Sequence, residues 1–278
     1  MKKSRSLRSM IIFLAVVLVI PILCFSLYLQ AQTWKIMKHN LQRELSGELN
    51  TADHILQMIV DKYDMVLYDF CTDDAMIELV EDINESEKPS DALKYQIRRN
   101  LAHICNRNEG VEGITLITES GQVCFYDKRA ASFVSTKWAN RISVSDIQDQ
   151  MALYRGSSEV IGEAEHPVHM FQLVRRLADY RNINRRIGTV ILSVDQSVLW
   201  KEIQVSAQSS VYVCESGQII AAADTKQIGS SILSKPQRGY RVLQTKNKKT
   251  GWDVYHFYET AQFEQMVFTN ICIGLGTL

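Results

Sequence analysis

Residues 10–29, MIIFLAVVLVIPILCFSLYL, contain no charged side chain. At helical rise the run is long enough to cross a hydrocarbon core of about 30 Å, so it predicts a membrane-spanning helix. Pro21 is compatible with that reading, because lipid-embedded helices re-satisfy the backbone group that a proline frees. Lys2, Lys3, Arg5 and Arg8 precede the run and no acidic residue does. Cytoplasmic flanks carry such cations, which leaves the N-terminus inside and exports everything after Gln30. A cleaved signal peptide is the rival reading, but its apolar region spans about 7 to 15 residues before a small-x-small site, and none follows Leu29 cleanly. Cys24 is not a lipidation site, since Leu23 stands before it where a small residue is needed.

The rest of the 278 residues suffices for one or two compact modules, at about 100 to 200 residues per domain. Lys plus Arg and Asp plus Glu number 31 each. With no net charge there is no basic field to draw nucleic acid or acidic substrates, and nucleic acid is excluded as a partner. Of the 6 cysteines, Cys24 and Cys272 lie in apolar runs, while Cys71, Cys105, Cys124 and Cys214 are dispersed without ligand spacing. An exported location permits disulfides. A Cys71–Cys105 bridge between neighbouring helices is therefore left open, beside the reading of all four thiols as small buried hydrophobes.

After the first run, Leu45, Leu49, Ala52, Leu56, Ile59, Tyr63, Val66 and Phe70 alternate in steps of four and three. This repeat of about 3.5 residues predicts a long helix whose seam either pairs with a second protomer or packs on the chain's own sheet. Asp73 or Asp74 is placed to cap a short helix AMIELVEDI, and NESEKPSD ends it. Ser90 starts another helix with Leu93, Ile97, Leu101 and Ile104 on its buried face, and Gly110 stops it. From Val111 the period changes to two: VEGITLIT, the turn ESGQ and VCFYD read as a hairpin. A helix VSDIQDQMALYR capped by Ser143 or Ser145 is expected next, followed by strands SEVIGEA, HMFQLVRRLAD and IGTVILSVD and the short helix QSVLWKEIQ.

The hairpin recurs. Glu119-Ser-Gly-Gln122 and Glu215-Ser-Gly-Gln218 are identical, and each sits between apolar β-runs. The second copy leads a shorter module: IIAAAD, TKQIGSSI, a polar loop GYRVLQTKNKKTG and the strand WDVYHFYE. From Phe263 the sequence is apolar again, and VFTNICIGLGTL is uncharged to the last residue, which reads as the start of a second membrane helix.

Anchor, long helix, hairpin, helix and meander, second ESGQ hairpin, GW-strand and second apolar run together resemble the double Cache (dCache) extracytoplasmic sensor of bacterial transmembrane receptors. The first anchor's Ile20-Pro21 step, the segment TDDAMIELV and the closing GWDVYHFYE resemble more narrowly the YesM-type sensor histidine kinases. The resemblance implies an α/β (α+β) fold: a long N-terminal helix with two tandem PAS-like modules, flanked by transmembrane helices. Its boundaries would be a cytoplasmic N-terminus over residues 1–9, a transmembrane helix over 10–29, a stalk helix over 30–75, a membrane-distal module over 76–203, a membrane-proximal module over 204–262 and a truncated second transmembrane helix over 263–278. It implies a homodimer in the plasma membrane that senses an unknown small-molecule ligand and passes the signal to a histidine kinase. The alternatives from residues alone are the input region of a chemoreceptor or diguanylate cyclase, or a membrane-anchored structural or adhesion protein.

No catalytic residue is expected within the chain. GxSxG, HExxH, P-loop and GxGxxG patterns are missing from the sequence. The histidines His39, His54, His103, His166, His169 and His256 are scattered, so no metal and no cofactor is expected. A ligand is expected in the distal module, between the sheet and residues 126–154, where Tyr126, Arg129, Trp138, Arg141 and Tyr154 gather. Amino-acid-binding relatives of the resembled family carry a spaced Tyr, Arg, Trp and Tyr. With their Trp on Trp138, this chain has Ala131, Thr136 and Ala139 at the other positions, so an amino-acid ligand is not favoured.

Overall fold

The computed structural model describes residues 2–128, 152–161, 168–179, 185–203, 209–234 and 239–259. The chain divides into two units, one of residues Met1–Glu48 with Glu259–Leu278 and one of residues Leu49–Tyr258. Helix α1 (Lys2–Cys71) begins in the first and ends in the second. In the first unit its Phe13, Leu14, Phe25 and Leu27 are exposed. By length and composition this helix is apolar enough to cross a membrane.

Within the second unit the seam of α1 turns inward. Leu49, Ala52, Leu56, Ile59, Tyr63 and Phe70 are buried in the unit's own core, so of the two uses the sequence allowed, packing on the chain's own sheet is the one seen. Met58 and Met65 lie exposed on the same helix. Helix α2 (Asp74–Glu85) starts at Asp73, whose Oδ1 accepts from the amides of Ala75 at 2.9 Å and Met76 at 3.3 Å. Those amides have no partner within the helix, so Asp73→Ala is expected to cost about 1 kcal/mol. The measurement is the urea midpoint of the full chain, which should fall at unchanged slope. Ser90 caps α3 (Asp91–Arg107) in the same way, accepting from Leu93 N at 3.3 Å. Asn108 closes α3, and Gly110 at φ +78° makes the turn after it.

Strands β1 (Val111–Thr118), β2 (Val123–Asp127), β3 (Ala152–Ile161), β4 (Val168–Ala178) and β5 (Arg186–Asp195) form one antiparallel sheet in the order β2-β1-β5-β4-β3. Helix α4 (Ser197–Ile203) leads out of it. Strands β6 (Ser209–Glu215), β7 (Gln218–Ala222), β8 (Tyr240–Lys246) and β9 (Asp253–Glu259) form a second sheet in the order β7-β6-β9-β8. Each sheet opens with an ESGQ hairpin at its edge and pairs the hairpin's first strand with the sheet's last, so the second repeats the first with one strand fewer. The turn glycines Gly121 and Gly217 both adopt φ +81°, a conformation that explains why the two turns share a sequence.

Two expectations are corrected. The helix predicted to run through Arg155 gives way to strand from Ala152 onward, because Ala152, Leu153, Tyr154 and Arg155 pair with Arg175, Val174, Leu173 and Gln172 of β4; its earlier part, residues 144–151, lies outside the described residues. The polar loop predicted over residues 239–251 contains β8, an edge strand with mostly exposed side chains, and that exposure accounts for its polar composition. The Cys71–Cys105 bridge is not formed: both are free, buried thiols, and burial pushes each up to about 12.

One core serves both sheets. Val211, Val213, Ile220, Trp252 and Val254 from the four-stranded sheet belong to the same buried cluster as Leu56, Leu101, Leu116 and Leu192.

Candidate functional site

In an antiparallel sheet, residues directly opposite each other point to the same face and successive residues alternate. The pairings therefore sort the five-stranded sheet into two surfaces. One contains the row Tyr154, Leu173, Leu192, Ile114, Tyr126 and its neighbour Arg175, Val190, Leu116, Cys124. This face meets the helices: α3 packs on β1 and β2, and α2 on β5.

The other face contains the rows Arg155, Gln172, Ser193, Gly113, Asp127 and Leu153, Val174, Ile191, Thr115, Phe125, with Arg176 opposite Thr189 beyond them. Its polar members Thr115, Asp127, Gln172, Thr189 and Ser193 are buried, none more than 5% exposed. Sheet interiors are seldom built this way, because a polar group moved out of water must find a partner. Gln172 donates from Nε2 to Ser193 Oγ at 3.3 Å, and Arg186 from Nη2 to Thr189 Oγ1 at 2.8 Å. Val174 and Ile191 form an apolar cluster between these groups, with Ile117 and Leu153 against it. An apolar floor with a few placed donors and acceptors is the lining a small polar molecule needs. The strands at the two edges, β2 and β3, are also the ones joined by residues 128–151, so the connection links opposite edges of this sheet.

Of the residues predicted for the site, Tyr126 and Tyr154 are at the two ends of the same row, on the helix-covered face. Four strand spacings of about 4.8 Å set them roughly 19 Å apart. Asn106 of α3 donates to Tyr126 Oη at 3.2 Å. Tyr154 Oη donates to Asp64 Oδ2 of α1 at 3.3 Å, and burial together with that carboxylate raises the phenol above its ordinary value. Arg129, Trp138 and Arg141 lie outside the described residues. The sequence reading missed Thr115, Asp127, Gln172, Arg176, Thr189 and Ser193. One signal was available in β4, where Gln172 and Arg176 stand in phase with each other and with Val174.

Among the described residues no group of three or more His, Cys, Asp or Glu side chains is arranged to hold a metal.

Solved structures share this architecture. The ligand-binding domain of the Campylobacter jejuni chemoreceptor Tlp3, solved with L-valine, superposes with a TM-score of 0.57 at 8% identity, over 82% of this chain and 96% of that one. The sensor domain of the V. cholerae histidine kinase DctB gives 0.57 at 10% identity, over 80% and 98%. An extracellular ligand binding receptor from Desulfohalobium retbaense gives 0.52 at 13% identity over 77% of this chain, which spans 40% of that receptor. The fold is thus the long-helix, Cache-like fold of extracellular sensor domains found in chemoreceptors and histidine kinases. No protein-family model matches the chain, and no curated protein matches it by sequence.

Proposed function

We propose that this chain is the ligand-sensing input region of a bacterial transmembrane receptor, and that its ligand is a small polar solute bound on the face of the five-stranded sheet opposite α2 and α3. The buried row Asp127, Ser193 and Gln172, with Thr115 and Thr189 beside it, carries this reading. A row of placed donors and acceptors beside the apolar patch of Val174 and Ile191 is what recognition of a small polar solute needs. The expected segment after Tyr126 starts at this face's edge, so Arg129, Trp138 and Arg141 are the further residues we assign to the pocket.

In the same reading residues 30–75 are the stalk, 76–203 the distal module and 204–262 the proximal one, in a receptor anchored through residues 10–29 with its N-terminus in the cytoplasm. Its output domain is a histidine kinase of the YesM type. Met58, Met65 and Tyr68, exposed along α1 at heptad-like spacing, support pairing of two copies.

The test is a thermal-shift screen of the full chain in detergent against sugars, amides, amino acids and carboxylates. A solute at a hundred times its dissociation constant adds about 2.7 kcal/mol to the folded state. A hit is expected to be lost in Gln172→Ala and in Arg176→Ala. A hit that keeps its affinity in both folded variants places the site elsewhere.

A further inference from the structure

On the helix-covered side of the same sheet, one carboxylate is shared by three parts of the fold. Asp64 of α1 accepts at Oδ1 from Arg175 Nη1 of β4 at 3.1 Å, and at Oδ2 from Tyr154 Oη of β3 at 3.3 Å and from Lys249 Nζ at 2.9 Å. Lys249 comes from the β8–β9 connection of the other sheet. Asp64, Arg175 and Lys249 side chains are 18%, 15% and 24% exposed, which limits solvent screening of the pairs. The guanidinium of Arg175 also stacks 5.0 Å from the Tyr68 ring centre, and the Lys249 ammonium lies 5.7 Å from that of Tyr154.

The β8–β9 connection is shaped to reach this point. Asn247 Oδ1 accepts from the amides of Lys249 at 3.1 Å and Thr250 at 3.0 Å, Gly251 N donates back to Asn247 O at 2.9 Å, and Gly251 takes φ +74°. Asn247 Nδ2 donates to Asp53 Oδ1 at 2.8 Å, while Lys249 also bonds Asp61. Asp53, Asp61 and Asp64 fall on one stripe of α1 at helical spacing, so residues 247–250 lie along the helix rather than touching it at one point. Burial alone would lower the Lys249 ammonium; its hydrogen bonds to Asp61 and Asp64 reverse that and hold it above the usual lysine value.

Strand alternation connects this cluster to the polar face. Arg175 is flanked in β4 by Val174 and Arg176, and Tyr154 in β3 by Leu153 and Arg155, all four on the opposite surface by register. A displacement of the β3–β4 edge therefore moves two of the three groups that hold Asp64.

We propose that Asp64 and residues 247–250 form an ionic latch that ties α1 and the four-stranded sheet to the β3–β4 edge, and that its opening is the conformational step that loosens residues 49–71 of α1 along that edge. The latch stands on its own contacts; its use in signalling rests on the sensor reading above. The buried apolar seam of residues 49–70 keeps α1 on the core in either arrangement, and the charged contacts beside it set where the helix sits against the edge, closed or open.

Hydrogen exchange read by mass spectrometry on the full chain in detergent tests this without any ligand. In Asp64→Asn and in Lys249→Met, amides of residues 247–251 are expected to exchange at least tenfold faster, with those of residues 49–71 accelerated alongside them. Protection in β5 is expected to stay as in the unaltered chain, and Lys249→Arg, which keeps a cation there, is expected to retain the slow exchange. Unchanged exchange over 247–251 in either folded variant overturns the latch. Faster exchange there with residues 49–71 unaffected overturns its role as the loosening step. If Asp64→Asn loses β5 protection as well, Lys249→Met decides, because it leaves Asp64 with Arg175 and Tyr154. A failed solute screen with a latch that opens as expected removes the sensor reading alone.

Discussion

Trp252→Ala is expected to lower the stability of both sheets together, by about 3–5 kcal/mol. Trp252 is 1% exposed and is the largest fully buried side chain among the described residues. Its ring meets Phe171 of β4 edge to face with centroids 5.9 Å apart, and Phe171 meets Tyr63 of α1 in the same manner at 6.2 Å. Such aromatic pairs add about 0.5–1.5 kcal/mol each beyond the area they bury. The indole thus bridges the four-stranded sheet to the core of the five-stranded one, and its removal leaves a cavity that neither sheet can fill alone. For a unit of this size the loss corresponds to a fall in unfolding midpoint of roughly 6–20 °C. Hydrogen exchange should show protection falling by a similar factor in β4–β5 and in β6–β9. Loss confined to the four-stranded sheet would mean that the two sheets unfold as separate bodies.

That shared core is what the sequence concealed. Two hairpin-led sheets were legible because Glu119-Ser-Gly-Gln122 and Glu215-Ser-Gly-Gln218 repeat, and a repeated turn marks a repeated hairpin. Nothing in either copy reports that Ile220 and Trp252 pack against the first sheet, since a contact between distant segments leaves no period in the sequence. Local chemistry was readable for the same reason that it is local: Asp73 and Ser90 cap the helices they were expected to cap, and the change of period at Val111 coincides with the first residue of β1. The start of β3 was misread because Gln150-Met151-Ala152-Leu153 suits a helix well, and pairing with β4 overrides that preference.

The face proposed to bind solute was harder still. A strand buried on both sides has no solvent face to set its phase. Tyr154 carried as much chemical promise as Gln172, and only the register, with Tyr154 opposite Leu173 and Arg155 opposite Gln172, assigns them to different sides. The polar face also draws its residues from four strands: Asp127 from β2, Thr115 from β1, Ser193 and Thr189 from β5, and Gln172 and Arg176 from β4. They converge through sheet order β2-β1-β5-β4, which no spacing along the chain encodes.

Gly156→Ala is expected to force the two sheets apart where β3 meets β7. A Cβ at Gly156 would lie 2.5 Å from Ile220 Cδ1, 2.6 Å from Cγ2 and 2.9 Å from Cβ. Rotating the isoleucine can move the first two atoms, but its Cβ is fixed by the backbone of β7, so the strands must separate. The backbone at Gly156 is not in the left-handed region, and Ala would otherwise suit a strand better than Gly. The cost is therefore overpacking, about 1–3 kcal/mol. Separation would also lengthen the bond from Gly156 N to Glu215 Oε2, now 2.9 Å, which faces the cleft of about 350 Å³ lined by Tyr154, Glu215, Lys249 and Trp252. Ile220→Ala alone should cost about 2–5 kcal/mol through the cavity it leaves. Combined with Gly156→Ala it removes two of the three clashes, so the double variant should be more stable than the sum of the single effects by a margin beyond the roughly 0.5 kcal/mol scatter of independent sites. Urea midpoints of the four proteins give that comparison directly, and strict additivity would show that β3 and β7 do not meet at this point.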